Sequence, residues 1–445
     1  MRRVASAALL GLLLSPGCAF KGSDDSAASP GASLDLGLPV LVEDPVEGVC
    51  VSEQLDRWDA ERRELQIDAL LELGVREIRQ DLVWSHVQAS RDAWDWSSED
   101  AVFDAAAEAG LELIAMLGYG NPWATSQPGA DTYTPPDDPA DFARFAAAAA
   151  ERYAGRVRAF EIWNEPNAGY RFWKVGDPPA IRGDPRGYGE LFVAAAEAIH
   201  AVDPHFEVQV GGTFYHPQLI PGTVEFLEGA IETVPGFLDA AQAIAWHPYP
   251  QYPPRVPPET SGEGELALWE MVASLRAIDE DLPLPITEMG WPSWNEVDEE
   301  EQAAWIVREL LLAQAEGIRD VCVYTLEDGD NPAVNPERAF GLLRMGPGAR
   351  KPSGEAWAAM AAALEPMSAA HGHAADLLGL PEGVLAVRYT EADRAALTWI
   401  WNLEGGGAPV VTLPGVCPDG SGAVVLQATP TPTPVLQALD ACEGA

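Results

Sequence analysis

From about residue 46 to residue 364 the chain repeats one pattern eight times: a short β-branched or apolar run, then an amphipathic stretch rich in Ala, Glu and Leu. Gly48–Ser52, Val75–Leu82, Leu111–Tyr119, Val157–Asn164, Glu207–Thr213, Ala243–Tyr249, Leu284–Glu288 and Asp320–Thr325 read as strands. Glu61–Leu73, Glu99–Ala109, Ala140–Ala154, Tyr188–Ala201, Val224–Ile231, Glu265–Ile278, Glu300–Glu316 and Ser353–Leu364 read as the helices between and after them. Parallel strands need a crossover between them, usually a helix. Eight such units in succession predict an α/β chain folded as a (β/α)8 TIM barrel. A doubly wound open sheet is the alternative; no Gly-rich phosphate loop follows the first strand, which weakens its nucleotide-binding version.

After about residue 370 the pattern changes to short strand-like runs separated by Gly, Pro and Asp turns: Val384–Tyr389, Ala395–Trp401, Val410–Leu413, Ala423–Leu426 and Val435–Leu436. The expected division is therefore a barrel over residues 37–370 and a small antiparallel, β-sandwich-like accessory domain over 371–445. A cap packed against the barrel is the favoured role for the latter, with a carbohydrate-binding module as the alternative.

Arg2 and Arg3 precede an apolar stretch from Ala7 to Leu14, and Ser15-Pro16-Gly17-Cys18 follows. A charged start, an apolar middle and a small-residue end make residues 1–18 a signal peptide, too short to span a bilayer. Cys18 directly after Gly17 resembles a bacterial lipoprotein signal, in which that cysteine carries the lipid; Leu14 stands four residues before it, where the usual spacing is three. The expectation is a cell-envelope lipoprotein, with a secreted or periplasmic protein as the alternative. Residues 19–36, rich in Ser, Ala, Gly and Asp, read as a flexible tether.

The charge balance excludes partners. With 69 acidic against 27 basic residues, a formal charge of −42, the chain repels nucleic acid and anionic membrane surfaces. The five cysteines form no Cys-x-x-Cys pair, and His216, His247, His371 and His373 have no ligand-like spacing, so neither a metal site nor a cofactor is expected. Cys417 and Cys442 can pair in an exported protein. Cys50 and Cys322, inside apolar runs, read as buried free thiols, although neighbouring strands would also bring them together.

Two carboxylates stand out against this frame. Glu165 follows the fourth strand in Ile162-Trp163-Asn164-Glu165-Pro166-Asn167, and Glu288 ends the seventh in Pro285-Ile286-Thr287-Glu288-Met289-Gly290-Trp291. Barrel active sites lie at the C-terminal strand ends. A carboxylic acid and a carboxylate facing each other there are what cleavage of a sugar–sugar bond requires. Trp294-Asn295-Glu296 repeats the first motif but runs into the acidic segment Asp298–Glu301 at a helix start, where Glu296 reads as solvated.

Several further motifs occur in order. They include Arg79-Gln80-Asp81-Leu82-Val83-Trp84, Trp94-Asp95-Trp96, Gly118-Tyr119 through Pro122-Trp123, His247-Pro248-Tyr249, Tyr324 to Asp328, Phe340-Gly341-Leu342-Leu343 and Lys351-Pro352. With the two glutamate motifs, this set resembles clan A glycoside hydrolases over residues 48–360, family 39 and its relatives above all and family 5 more distantly. The resemblance implies a retaining β-glycosidase that hydrolyses O-glycosyl bonds in β-linked polysaccharides or oligosaccharides. In it Glu165 is the acid/base, Glu288 the nucleophile, and Asn164 a hydrogen-bond partner of the sugar 2-hydroxyl. Arg79 holds Glu288 ionised, Tyr249 donates to Glu288, and His247 lines the same wall.

Indole faces stack on the apolar C–H faces of sugars. Among the 15 tryptophans, Trp84, Trp123, Trp173 and Trp291 fall on strand-end loops and are candidate sugar platforms, whereas Trp246, Trp269 and Trp305 read as core. Tyr324 stands where the family 5 pattern has a tryptophan after strand eight. A glycan-binding barrel without catalysis and a transglycosylase using the same residues are the competing functions. Internal or terminal cleavage is expected to depend on the loops Gly169–Arg186 and Gln251–Gly264.

Overall fold

The computed structural model describes residues 40–43, 49–55, 59–176, 183–215, 222–249, 254–261, 266–346 and 349–365, together with strand segments 369–371, 384–391, 394–402, 410–412, 423–425 and 437–440. Cys18, Cys417 and Cys442, with the leader and tether, lie outside these residues.

Eight parallel strands close into a barrel. In chain order they are Val49–Ser52, Glu77–Val83, Glu112–Gly118, Ala159–Asn164, Glu207–Tyr215, Ala243–Pro248, Ile286–Met289 and Val321–Val323, the eighth pairing back onto the first. The helices Ala60–Glu72, Ser97–Glu108, Pro139–Tyr153, Pro185–Val202, Thr223–Thr233, Leu268–Arg276, Glu299–Ala315 and Pro352–Leu364 follow them. The expected (β/α)8 barrel is the observed one.

Local chemistry sets the helix ends. Asp59, Asp138, Asp184 and Asp298 each accept a backbone N–H of the first turn, and Pro139 and Pro185 open their helices where no N–H is needed. Asp298 and Glu301 bond reciprocally as a capping box. The first helix stops at Gly74, whose φ of +79° suits glycine, and Val75 N then donates to Leu70 O at 3.0 Å, turning the chain into the second strand.

The expectation of free thiols at Cys50 and Cys322 is corrected: the two form a disulfide. They lie 272 residues apart but on the first and last barrel strands, directly opposite in register. Both are buried with Ile114 and Ala159 of the third and fourth strands, which places the bond inside the barrel. An apolar run signals burial; only closure of the sheet makes these two positions neighbours.

A five-stranded sheet runs Val40–Glu43, Ala369–His371, Val384–Glu391, Arg394–Asn402 and Gln437–Asp440, with every pairing antiparallel. Its edge strand Val40–Glu43 precedes the barrel in sequence. The sheet rests on helix Glu299–Ala315, and Tyr389 donates its hydroxyl to Gln314. The helix is thereby held between two layers, and every residue from Trp305 to Ala315 is buried. Among them Arg308 is paired with Glu259, and burial pushes the Glu309 carboxyl well above the ordinary range.

Replacing both Cys50 and Cys322 by Ala is expected to cost roughly 2–4 kcal/mol of unfolding free energy, because a long loop is no longer closed in the unfolded chain. Guanidinium unfolding of the two proteins measures this, and an unshifted midpoint would show that the cysteines are not bonded.

Candidate active site

The fourth strand ends in an unusual turn. Trp163 and Glu165 have φ of +72° and +45°, in the left-handed region that side chains seldom adopt. Successive side chains of a regular strand point to opposite faces; here Asn164 and Glu165 line the same cleft. The turn is held by Glu165 N donating to Gly212 O and by Ala168 N donating to Glu165 O, both at 2.9 Å. Gly212 must be glycine, since a Cβ there would lie 2.1 Å from His247 Nε2.

Beneath the cleft sits a buried ion pair. Arg79, on the second strand, donates from Nε and Nη2 to the two oxygens of Glu161 at 2.9 and 2.6 Å. Nη2 also donates to Asn164 Oδ1 at 2.9 Å, and Gly212 N donates to Glu161 at 2.9 Å. Burial alone would raise the Glu161 carboxyl, but the guanidinium outweighs it and the group is held below the ordinary range. Arg79 Nη1 lies 3.9 Å from Glu288 Oε2.

The two cleft carboxyls have different surroundings. Glu165 Oε1 is 3.0 Å from His247 Nδ1, and His247 Nε2 is 3.3 Å from the Thr287 hydroxyl. Burial raises Glu165 to about 7, against the opposing pull of Arg171 and Arg79. Burial lowers His247 to about 4, so its ring is neutral beside Glu165. Glu288 accepts the Tyr249 hydroxyl at 2.8 Å. Burial and the neighbouring Glu165 raise Glu288, while Arg79 and Tyr249 favour its charged form. Ligand atoms of Glu165, His247 and Glu288 all lie within 4.8 Å of one another. The trio has the donor set for a cation, but the adjacent guanidinium of Arg79 already supplies positive charge and disfavours a divalent ion.

The cleft has a volume of about 170 Å³. It gathers Glu165, Glu288, Asn164, Arg79, Tyr249 and Tyr324 in its wall. His247 lies fully buried behind Glu165. Arg79, expected to serve Glu288 first, is engaged principally by Glu161. That partner was missed because a charged residue inside the apolar run 159–164 reads as an interruption of the strand rather than as an inward-facing counter-ion.

The tryptophan platforms are corrected. Trp84 opens a short helical turn, is fully buried against Phe142 and Phe145, and donates to Gln88. Trp291 is buried edge-on to Trp305 and donates to Val256 O. Trp173 packs on Trp163 and Tyr188. Trp123 is half-buried beside Trp84 and under Arg91, away from the cleft wall. Tyr119, Phe172, Tyr249, Tyr324 and Phe340 supply the aromatic wall instead. A strand-end tryptophan is equally able to cover the outer barrel core, and sequence position does not separate the two.

No protein-family model matches the sequence, and no curated protein matches it significantly. Solved structures do match. A family 39 glycoside hydrolase from Bacteroides cellulosilyticus WH2 aligns with TM-score 0.68 and 22% identity over 91% of this chain and 83% of its own. A family 39 β-xylosidase from Caulobacter crescentus aligns with TM-score 0.57 and 20% identity, covering 82% and 79%. A family 5 protein (GH5_18) from Streptomyces cattleya, solved with GlcNAc, aligns with TM-score 0.52 and 18% identity, covering 71% and 80%. The chain resembles family 39 and family 5 glycoside hydrolases in its fold.

Glu161→Ala is expected to destabilise the protein by about 3–5 kcal/mol, because it strands the buried Arg79 charge. Denaturant unfolding measures the loss, and a change below about 1 kcal/mol would mean that Arg79 does not depend on Glu161.

Proposed function

We propose that the chain is a retaining β-glycoside hydrolase acting on β-linked polysaccharides or oligosaccharides. The observation that carries this reading is the pair of cleft carboxyls, buried Glu165 directly after strand four and partly buried Glu288 on strand seven, with oxygens within 4.8 Å of each other. That separation suits retention, which uses carboxyls about 5–5.5 Å apart, rather than inversion, which leaves room for a water between them. The likeness in fold to family 39 and family 5 enzymes supports it.

In this mechanism Glu165, protonated near neutral pH, gives its proton to the glycosidic oxygen as the bond to the anomeric carbon breaks. Glu288 attacks that carbon and forms a glycosyl ester, aligned by Tyr249 and Arg79. The Glu165 carboxylate then takes a proton from water, whose oxygen displaces Glu288 from the sugar. Asn164, its amide oxygen engaged by Arg79, presents its NH2 to the sugar 2-hydroxyl. Neutral His247 keeps Glu165 oriented without adding charge.

The same proposal places the protein outside the cytoplasm, anchored by lipid at Cys18. The leader composition supports export, as does the Cys50–Cys322 disulfide, a bond that persists in oxidising compartments.

The test is release of sugar from a panel of aryl β-glycosides and β-linked polysaccharides, β-xylosides included because one fold neighbour is a β-xylosidase. Glu288→Ala is expected to reduce activity to background, and Glu165→Ala by roughly 10²–10⁴-fold on substrates with poor leaving groups. Azide should rescue Glu165→Ala with an activated aryl glycoside. Activity that survives Glu288→Ala would overturn the assignment.

The pH profile is a separate check. Glu165 must be protonated, so kcat/KM should fall as pH rises through about 7. Glu288 must be ionised, so the acid limb should lie above the ordinary value of 4.5. With an activated aryl glycoside, Glu165→Gln should abolish the alkaline limb and keep the acid one. An alkaline limb that persists in this variant would assign it to another group.

A further inference from the structure

Strands four and eight stand opposite each other in the closed barrel, four positions apart in either direction around it. The loop after strand four carries Arg171, and the loop after strand eight carries Glu337. Their side chains meet, Arg171 Nη2 lying 3.3 Å from Glu337 Oε1, and both line the cleft that holds Glu165 and Glu288. A contact between loops of opposite strands runs over the top of the barrel. A polysaccharide lying in an open groove would have to cross the same space.

We propose that the Arg171–Glu337 pair is a bar across the mouth of the cleft that selects chain ends over internal bonds. The proposal rests on the glycosidase reading and adds the mode of cleavage to it.

Both ends of the bar are positioned. After Glu165 the chain makes two tight turns, with Ala168 N donating to Glu165 O and Arg171 N donating to Ala168 O, each at 2.9 Å. The Arg171 guanidinium lies 4.7 Å from the Phe172 ring centre, and Phe172 stacks on Tyr119 at 5.9 Å. On the other side Glu337 sits in the 3₁₀ turn Pro336–Arg338, capped by Asn335, whose side chain accepts Glu337 N at 3.1 Å. The first shelf begins at Glu165, but it is held by backbone hydrogen bonds, so removing the Arg171 or Glu337 side chain leaves the turn that carries the acid/base, and the strand that carries the nucleophile, in place.

The pair is partly solvated, with side-chain exposures of 40% and 35%. Such pairs are worth little, so the bar biases access rather than sealing the cleft. Arg171 also acts on the chemistry: its charge is the largest influence pulling Glu165 back from the value that burial would impose. Removing it should therefore move the alkaline limb of the pH profile upward, an effect that loss of a purely structural contact would not produce.

The experiment compares wild type, Arg171→Ala, Glu337→Ala and the charge-swapped Arg171→Glu/Glu337→Arg protein. Aryl β-glycosides first identify the accepted sugar; they do not thread the cleft and report the glycosidase reading alone. The β-linked polymer of that sugar is then digested, and viscosity loss is plotted against reducing ends released, a ratio independent of overall rate. Wild type is expected to release terminal sugar with little loss of viscosity. Each single Ala variant should raise viscosity loss per reducing end by up to about fivefold, the factor that corresponds to the roughly 1 kcal/mol upper end for a half-exposed pair. The swapped protein should return toward wild type. Aryl-glycoside activity with an unchanged ratio in both Ala variants would overturn the bar and leave the glycosidase standing. Absence of wild-type activity on every substrate would overturn both.

Discussion

The site depends on one buried ion pair. Arg79 and Glu161 meet inside the barrel from the second and fourth strands, and each is nearly excluded from solvent. Taking a guanidinium and a carboxylate out of water is costly, and only a bidentate geometry with further hydrogen bonds compensates. Both are present, since Asn164 and Gly212 N complete the shell. Glu161 thus anchors Arg79, while Nη1 reaches Glu288 and Nη2 fixes the amide beside Glu165. One guanidinium sets the electrostatics of one carboxyl and the orientation of the residue next to the other.

The division of labour between the two cleft carboxyls follows from these neighbours. Glu165 is buried and Glu288 partly so, and loss of solvation raises both. Glu165 faces a ring that burial keeps neutral, and the pull of Arg171 and Arg79 brings it back only to about 7. Glu288 faces a phenol donor and a guanidinium. Two like carboxyls this close cannot both carry full charge cheaply, and the surroundings decide which one holds the proton. The left-handed turn at Trp163 and Glu165 is part of this arrangement, because it brings Asn164 and Glu165 to one wall.

What the sequence revealed follows the range of the interactions. Strand–helix alternation is local, so all eight barrel strands were found, with ends shifted by a few residues, as at Ile286–Met289 against the expected Leu284–Glu288. The terminal run expected at Val435–Leu436 lies outside the described residues; the strand Gln437–Asp440 pairs with Arg394–Asn402. Glu165 and Glu288 were legible because each ends an apolar run, and their pairing followed from the fold. The disulfide and the Arg79–Glu161 pair were not, because both join strands distant in sequence whose inward faces only barrel closure defines. The tryptophans misled for the same reason: Trp84 and Trp291 occupy strand-end positions, yet their indoles fill the gap between barrel and helices.

Chemistry and access are carried by different parts of the molecule. Glu161 and Glu288 lie within barrel strands, where neighbouring strands on both sides fix the backbone, and Glu165 follows directly on one. Arg171 and Glu337 lie on loops and meet through partly solvated side chains. Moving a strand by the length of one hydrogen bond would break its register with two neighbours, whereas changing a loop leaves the barrel intact. The mouth can therefore be reshaped without disturbing the carboxyl pair beneath it. Charge follows the same division: Arg79 balances Glu161 in the interior and Arg171 pairs with Glu337 at the rim. Despite a net charge of −42 on the whole chain, guanidinium charge opposes burial at both cleft carboxyls, from Arg171 and Arg79 at Glu165 and from Arg79 at Glu288.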